Sequence, residues 1–178
     1  MLITVLMSSA YVAAALLNGW ALASLEYTAG VNWVYVPAGL RMCFALVMPI
    51  AGPVAIGLGS FVLSLQDQTH TWVTAMVNGV VTGAAPWLAR KVALRQYTIE
   101  DELSSLTALK LLRLSILFGL LSSSFHQAWY ALLGRELSGI TTGWLPMFIG
   151  DTAGAIICLY IFKGILIGIE RWASPARN

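Results

Sequence analysis

Charge is what this sequence has least of. Of 178 residues only 10% are Asp, Glu, Lys or Arg, where a water-soluble domain carries about 25%. A chain this poor in charge cannot cover a solvent-facing surface. Its few Lys and Arg leave a net charge of +2 and form no basic stripe, which removes the electrostatic footprint that nucleic-acid binding requires. Cysteine is nearly absent. Cys43 and Cys158 both lie inside apolar runs, and thiols so placed read as small core hydrophobes, not as a disulfide or a ligand pair. His70 and His126 have no third nitrogen or thiolate ligand at a recognisable spacing, so neither a metal nor another cofactor is expected. The first 24 residues lack a basic leader, and no A-x-A-like site is followed by a soluble mature chain, so they read as a retained span, not a cleaved signal.

What is present is apolar sequence: 58% of residues are hydrophobic and mean hydropathy is +0.79. About 20 apolar residues cross the roughly 30 Å of bilayer hydrocarbon. Such runs cover 3–24, 31–49, 53–66, 71–89, 108–133 and 143–169. The expected fold is therefore all-α, a polytopic membrane helix bundle of six transmembrane helices forming a single integral membrane domain over 1–178. The third run, bounded by Pro53 and Gln66-Asp67-Gln68, is short and could be tilted, packed inside, or re-entrant.

Basic residues at span ends resist translocation. Arg90, Lys91, Arg95, Lys110 and Arg113 flank one connection, and Arg171 and Arg177 follow the last span. Both regions are expected in the cytoplasm. Six crossings then put the N-terminus and C-terminus in the cytoplasm and leave 25–30, 66–71 and 134–142 outside. The one strongly polar stretch, Gln96 to Thr107, holds Glu100-Asp101-Glu102, which suits a solvated helix start. A contact surface for a cytoplasmic partner is the alternative. Gly79-xxx-Gly83, Gly150-xxx-Gly154 and Gly164-xxx-Gly168 allow close helix approach, and read as intramolecular packing before they read as a dimer seam.

An ionisable group within a span costs at least about 2.5 kcal/mol to insert, so it marks a functional site by default. Arg41 and Asp151 qualify. Each stands about one turn past a proline, Pro37 and Pro146, suited to a helix start. Both helices enter from outside, so the two charges reach similar depth and an Arg–carboxylate pair follows. It either organises a site or only fixes the packing of spans two and six. At about 1.5 Å per residue, Asn18 lies roughly 9 Å deep, Asn78 roughly 10 Å, and His126 with Gln127 roughly 10 to 12 Å. Five of the six spans thus bring a polar group to the outer half. Trp33, Trp129 and Trp144 belong to an excess of aromatic residues near the outer ends. An interfacial belt accounts for tryptophan at both faces, and the one-sided excess is what an aromatic-walled pocket adds. Candidate ligand- or partner-binding residues are Arg41, Asp151, Asn78, His126, Gln127, Asn18, Trp33, Trp144 and Trp129.

Catalysis is not expected. Gly150-Asp151 is similar to the Gly-Asp element of intramembrane aspartyl proteases, but that chemistry needs a second carboxylate at the site, and no other span carries one. Ser122 and His126 stand four apart, yet Ser122 to Ser124 are expected to bond back to their own helix. A channel or pump strings ionisable groups through the full thickness, whereas the inner half offers only Lys163, which can snorkel.

Two stretches carry a family resemblance: Trp33-Val34-Tyr35-Val36-Pro37-Ala38-Gly39, and Trp144-Leu145-Pro146-Met147-Phe148-Ile149-Gly150-Asp151-Thr152-Ala153-Gly154. With Gly52-Pro53-Val54 through Gly59, and Asn78 through Arg90-Lys91, they make residues 31–169 resemble the membrane-associated sensor domain of the first type, found at the N-terminus of many bacterial histidine kinases and diguanylate cyclases. The resemblance implies a multi-pass bacterial inner-membrane protein with a sensory or scaffold role in signal transduction. Family members usually continue into a cytoplasmic output domain, whereas this sequence ends nine residues past its last span, so relay to a separate signalling enzyme or membrane complex is expected. Arg41 stands where the family places an apolar residue.

The leading expectation is a non-catalytic sensor-like module, with the lipid bilayer as its solvent. It binds a small ligand or a partner's transmembrane helix through an outward-facing polar and aromatic cluster. One rival is a substrate-binding subunit of a small-molecule importer, similar to the S-components of energy-coupling-factor systems. That role needs a small-residue docking surface, for which Ala84, Ala85, Ala89 and Ala93 are candidates. Another is an accessory subunit of a larger membrane complex.

Overall fold

The structure, a computed structural model, describes residues 1–28, 30–66, 71–96, 107–134 and 137–173. It is all-helical apart from one short ribbon. Six helices follow in order: α1 (Leu2–Ala21), α2 (Val36–Val47), α3 (Ala51–Gln66), α4 (Trp72–Gln96), α5 (Ala108–Leu132) and α6 (Leu137–Ala173). Between α1 and α2 lie a 3-10 turn and an antiparallel ribbon, β1 (Glu26–Thr28) with β2 (Val31–Asn32). The ribbon turns at Gly30, whose φ of 78° favours glycine, and Glu26 Oε1 accepts a 3.2 Å hydrogen bond from the Gly30 N–H.

Among the described residues three helices are long and apolar enough to cross a membrane: Leu2–Ala21, Ala108–Leu132 and, within α6, Thr142–Ile169. The sequence pattern differs from the structure in the second run. Residues 31 and 32 belong to the ribbon, and α2 has 12 residues, about 18 Å of rise. Pro37, in the first turn, starts it where a missing N–H costs nothing. Helix α3 has 16 residues, about 24 Å. Helix α4, at 25 residues, is long enough, but Asn78, Thr82, Arg90, Lys91 and Arg95 dilute its apolarity. Pro146 does not start a helix: α6 begins at Leu137 and runs through it. Helix α5 starts at Ala108, where the Thr107 side chain accepts the Lys110 N–H at 3.3 Å. The acidic Glu100-Asp101-Glu102 group and His70 fall outside the described residues.

Apolar side chains cover the outside of the bundle, and polar ones are sheltered within it beside an apolar core. Leu6, Leu17, Val54, Leu58, Val73, Val80, Ile161 and Ile165 are exposed, while Asn18, Arg41, Thr82, Ser122, His126, Gln127 and Asp151 are buried. Water would invert that arrangement, whereas hydrocarbon favours it, because every polar group must then find its partner within the protein. Helix α5 packs on α6, α3 on α4, and α2 on α6. One cluster at the centre joins Ala38, Met42, Cys43, Ala85, Ala89, Ala93, Leu111, Leu114, Phe118, Ala155 and Leu159. Ala85, Ala89 and Ala93 are wholly inside it, so they are core packing and not a docking stripe. Both cysteines are free thiols.

Glycines set the closest approaches. A Cβ at Gly79 would stand 2.7 Å from the Gly57 carbonyl oxygen and one at Gly83 2.6 Å from that of Pro53, so this pair joins α4 to α3. Gly150 and Gly154 lie against the carbonyls of Asn32 and Tyr35, which seats α6 on the approach to α2. The third pair differs from the sequence expectation: Gly164 and Gly168 have nothing within 4 Å of a built Cβ and face outward.

Candidate functional site

Arg41 and Asp151 meet. Arg41 Nη2 donates to Asp151 Oδ1 at 2.9 Å, and both side chains are 2% exposed. The guanidinium is held from three further directions. Its Nη1 donates to Ser122 Oγ at 3.3 Å, and its central carbon lies 5.4 Å from the centre of the Tyr35 ring and 5.3 Å from that of Phe118. Two rings at that distance recover part of the hydration an Arg loses on burial. Pro37 starts α2 one turn earlier, and Gly150 and Gly154 let α6 come close, so the backbone brings the two charges together.

The pair forms part of the wall of a partly open cavity of about 240 Å³. All six helices contribute to it, each through residues on one face. Helix α1 supplies Tyr11; α2 supplies Arg41, with Tyr35 just before it. Helix α3 gives Ser60 and Ser64, four apart, with Leu63 beside them. Helix α4 gives Asn78 and Thr82, α5 gives His126 and Tyr130, and α6 gives Met147 and Asp151, each pair again four apart. Such spacing stacks side chains on one helix face. The ribbon closes one side through Gly30 and Asn32, and a Cβ on Gly30 would lie 3.4 Å from the Tyr130 hydroxyl.

A hydrogen-bonded chain runs along one wall. Asn78 Nδ2 donates to Ser64 Oγ at 3.2 Å. Thr82 Oγ1 donates to the Asn78 carbonyl at 2.7 Å and lies 2.9 Å from Ser60 Oγ and 3.3 Å from His126 Nε2. His126 Nδ1 is 2.8 Å from the Ser122 carbonyl, and since a carbonyl only accepts, Nδ1 carries a hydrogen. The imidazole therefore bonds the backbone of Ser122, not its hydroxyl.

Among the described residues several buried polar atoms have no hydrogen-bond partner. They include Arg41 Nε, Asp151 Oδ2 and Asn78 Oδ1, on three residues that line the cavity, and Asn18 Nδ2, Trp129 Nε1 and Thr152 Oγ1 elsewhere. A buried polar atom without a partner costs about 1 to 3 kcal/mol. Polar groups on residues that converge on one cavity are what fixes the orientation of a small molecule in a site.

Of the residues singled out in the sequence, Arg41, Asp151, Asn78 and His126 line this cavity. Asn18 does not: its Oδ1 accepts the Val36 N–H at 3.0 Å, tying α1 to the start of α2. Gln127 lies behind the wall, its Nε2 3.9 Å from Met147 Sδ. The three tryptophans are outside it. Trp33 makes an edge contact with Tyr27 at 5.8 Å. Trp144 stacks on Phe148 at 5.4 Å and donates to Ser124 Oγ at 3.3 Å. Trp129 immediately precedes the lining Tyr130 and projects from a different part of the helix surface. The aromatic wall consists instead of the tyrosines 11, 35 and 130, whose hydroxyls suit a polar interior. Ser60, Ser64 and Thr82 were not singled out, although their i, i+4 pairing with a neighbour on the same helix was a readable signal. Ser123 bonds back to the Gly119 carbonyl at 2.8 Å as expected, whereas Ser122 and Ser124 bond across to α2 and α6.

No family model, curated protein or solved structure matches the chain.

Proposed function

We propose that this protein is a non-catalytic, sensor-like membrane module that binds a small ligand in the Arg41–Asp151 cavity. The observation that carries the reading is that one polar cavity, with a buried ion pair in its wall, takes lining residues from all six helices. A ligand there touches every helix of the bundle, so binding can change their relative tilt. Such a shift requires the ligand to favour one arrangement over another, and unpartnered polar atoms are groups whose pairing differs between the free and bound states.

In this reading all six helices cross or enter the bilayer, with both termini in the cytoplasm. The cavity then opens toward the outside, and the connection from α4 to α5, flanked by Arg90, Lys91, Lys110 and Arg113, reports to a separate signalling partner. The resemblance of residues 31–169 to the bacterial membrane-associated sensor domain of the first type supports a multi-pass inner-membrane location and a sensory role. Burial of Ala85, Ala89 and Ala93 weighs against an importer subunit, because the small-residue surface that role needs is already packed.

The test is purification in mild detergent, followed by mass spectrometry of the small molecules and proteins that accompany the wild type and a cavity-filled Ser64→Phe variant. A small molecule recovered with the wild type and lost from the variant supports the reading. Identical small-molecule content in the two, in a folded variant, overturns it.

A further inference from the structure

We infer that the ligand is a zwitterion of the α-amino-acid class with a medium-sized apolar side chain; the inference rests on the cavity reading above and sharpens it. The argument begins from charge. Among the described lining residues, only Arg41 and Asp151 carry full charges, and they cancel. A cationic ligand meets Arg41 and leaves an uncompensated charge in a low-dielectric interior, and an anionic ligand does the same against Asp151. Both charges nevertheless keep bonding capacity. Their ion pair uses one guanidinium nitrogen and one carboxylate oxygen, so Arg41 Nε–H still has a donor to offer and Asp151 Oδ2 an acceptor.

An α-amino acid presents the complement. Its ammonium offers three donors, which suit Asp151 Oδ2 and Asn78 Oδ1, the second unpartnered acceptor in the wall. Its carboxylate accepts from Arg41 Nε. Hydrogen bonds with a charged partner on each side are about twice as strong as neutral ones, so a zwitterion gains more here than an uncharged polyol of equal size. Volume limits the side chain. A cavity of about 150 Å³ holds benzene, so 240 Å³ holds about ten non-hydrogen atoms on the same scale. The amino-acid head group takes half of these, leaving a side chain about the size of leucine's, for which Leu63 and Met147 form an apolar wall.

The experiment is isothermal titration of the detergent-purified full chain with four probes: L-leucine, 3-methylbutylamine, 4-methylpentanoate and erythritol. The amine lacks the carboxylate, the acid lacks the ammonium, and the polyol lacks both charges. L-leucine is expected to bind, with each half-ligand weaker by about tenfold or more. Asn78→Ala, which leaves the ion pair intact, is expected to weaken leucine by about tenfold. The double variant Arg41→Gln/Asp151→Asn, which removes both charges together, is expected to fold and to lose leucine binding. Erythritol binding without leucine, or half-ligands equal to leucine, overturns the zwitterion and leaves the cavity reading standing. If none of the four binds, the zwitterion is overturned, and recovery of a different small molecule with the wild type but not Ser64→Phe keeps the cavity reading.

Discussion

Breaking the buried ion pair from one side is the sharpest test of how this bundle is held. In Asp151→Asn the amide still offers an acceptor at the Oδ1 position, 2.9 Å from Arg41 Nη2, but the guanidinium is left as an uncompensated charge at 2% exposure. Removing one partner of a buried pair costs about 3 to 5 kcal/mol. The Tyr35 and Phe118 rings still face the cation at 5.4 and 5.3 Å, and offset roughly 1 kcal/mol of that, leaving a loss of about 2 to 4 kcal/mol. Arg41→Gln strands the carboxylate instead, whose Oδ2 has no partner among the described residues and which no ring stabilises, so it is expected to cost the full amount. For a domain of this length each kcal/mol moves the midpoint by about 2 to 4 °C. Thermal unfolding in detergent is expected to fall by about 4 to 16 °C for Asp151→Asn and further for Arg41→Gln. The double variant should recover much of the loss, since two facing amides leave no bare charge. Single variants within about 2 °C of the wild type, or a double variant no better than the worse single one, would refute the reasoning.

Three further outcomes are expected. Gly154→Leu forces a side chain into the Tyr35 carbonyl and should lower the unfolding midpoint sharply, whereas Gly164→Ala meets open space and should leave it unchanged or raise it by a helix-propensity gain of up to about 1 kcal/mol; differential scanning fluorimetry distinguishes the two. Thr82→Val removes the hydroxyl shared by Ser60, His126 and the Asn78 carbonyl and is expected to cost about 1 to 3 kcal/mol; a chemical-denaturation curve coincident with the wild type contradicts it. Tyr130→Leu should reduce recovery of any co-purifying small molecule and Trp33→Ala or Trp144→Ala should not, because only the tyrosine borders the cavity; mass spectrometry showing the reverse order would move the aromatic wall back to the tryptophans.

Composition and the length of the apolar runs were enough to call for helices able to cross a membrane. With 10% charged residues there is no polar surface to face water, and helices satisfy their own backbone in hydrocarbon. The ion pair was also legible, because two charges in otherwise apolar helices have few stable alternatives to each other. Helix limits were less so. Hydropathy cannot distinguish an apolar ribbon from the first turns of a helix, so Val31 and Asn32 were assigned to a span, and a proline suited to a helix start also sits within a helix, as Pro146 does. The wall of the cavity depended on rotation about each helix axis. Tyr130 borders it and Trp129, one residue away, does not; Ser122 bonds across to Arg41 while Ser123 bonds to its own helix. Neighbours on an α-helix point about 100° apart, and which of them faces inward is set by the glycine contacts that seat one helix on the next. Sequence thus determined which groups had to be sheltered, and packing alone decided which atoms shelter them.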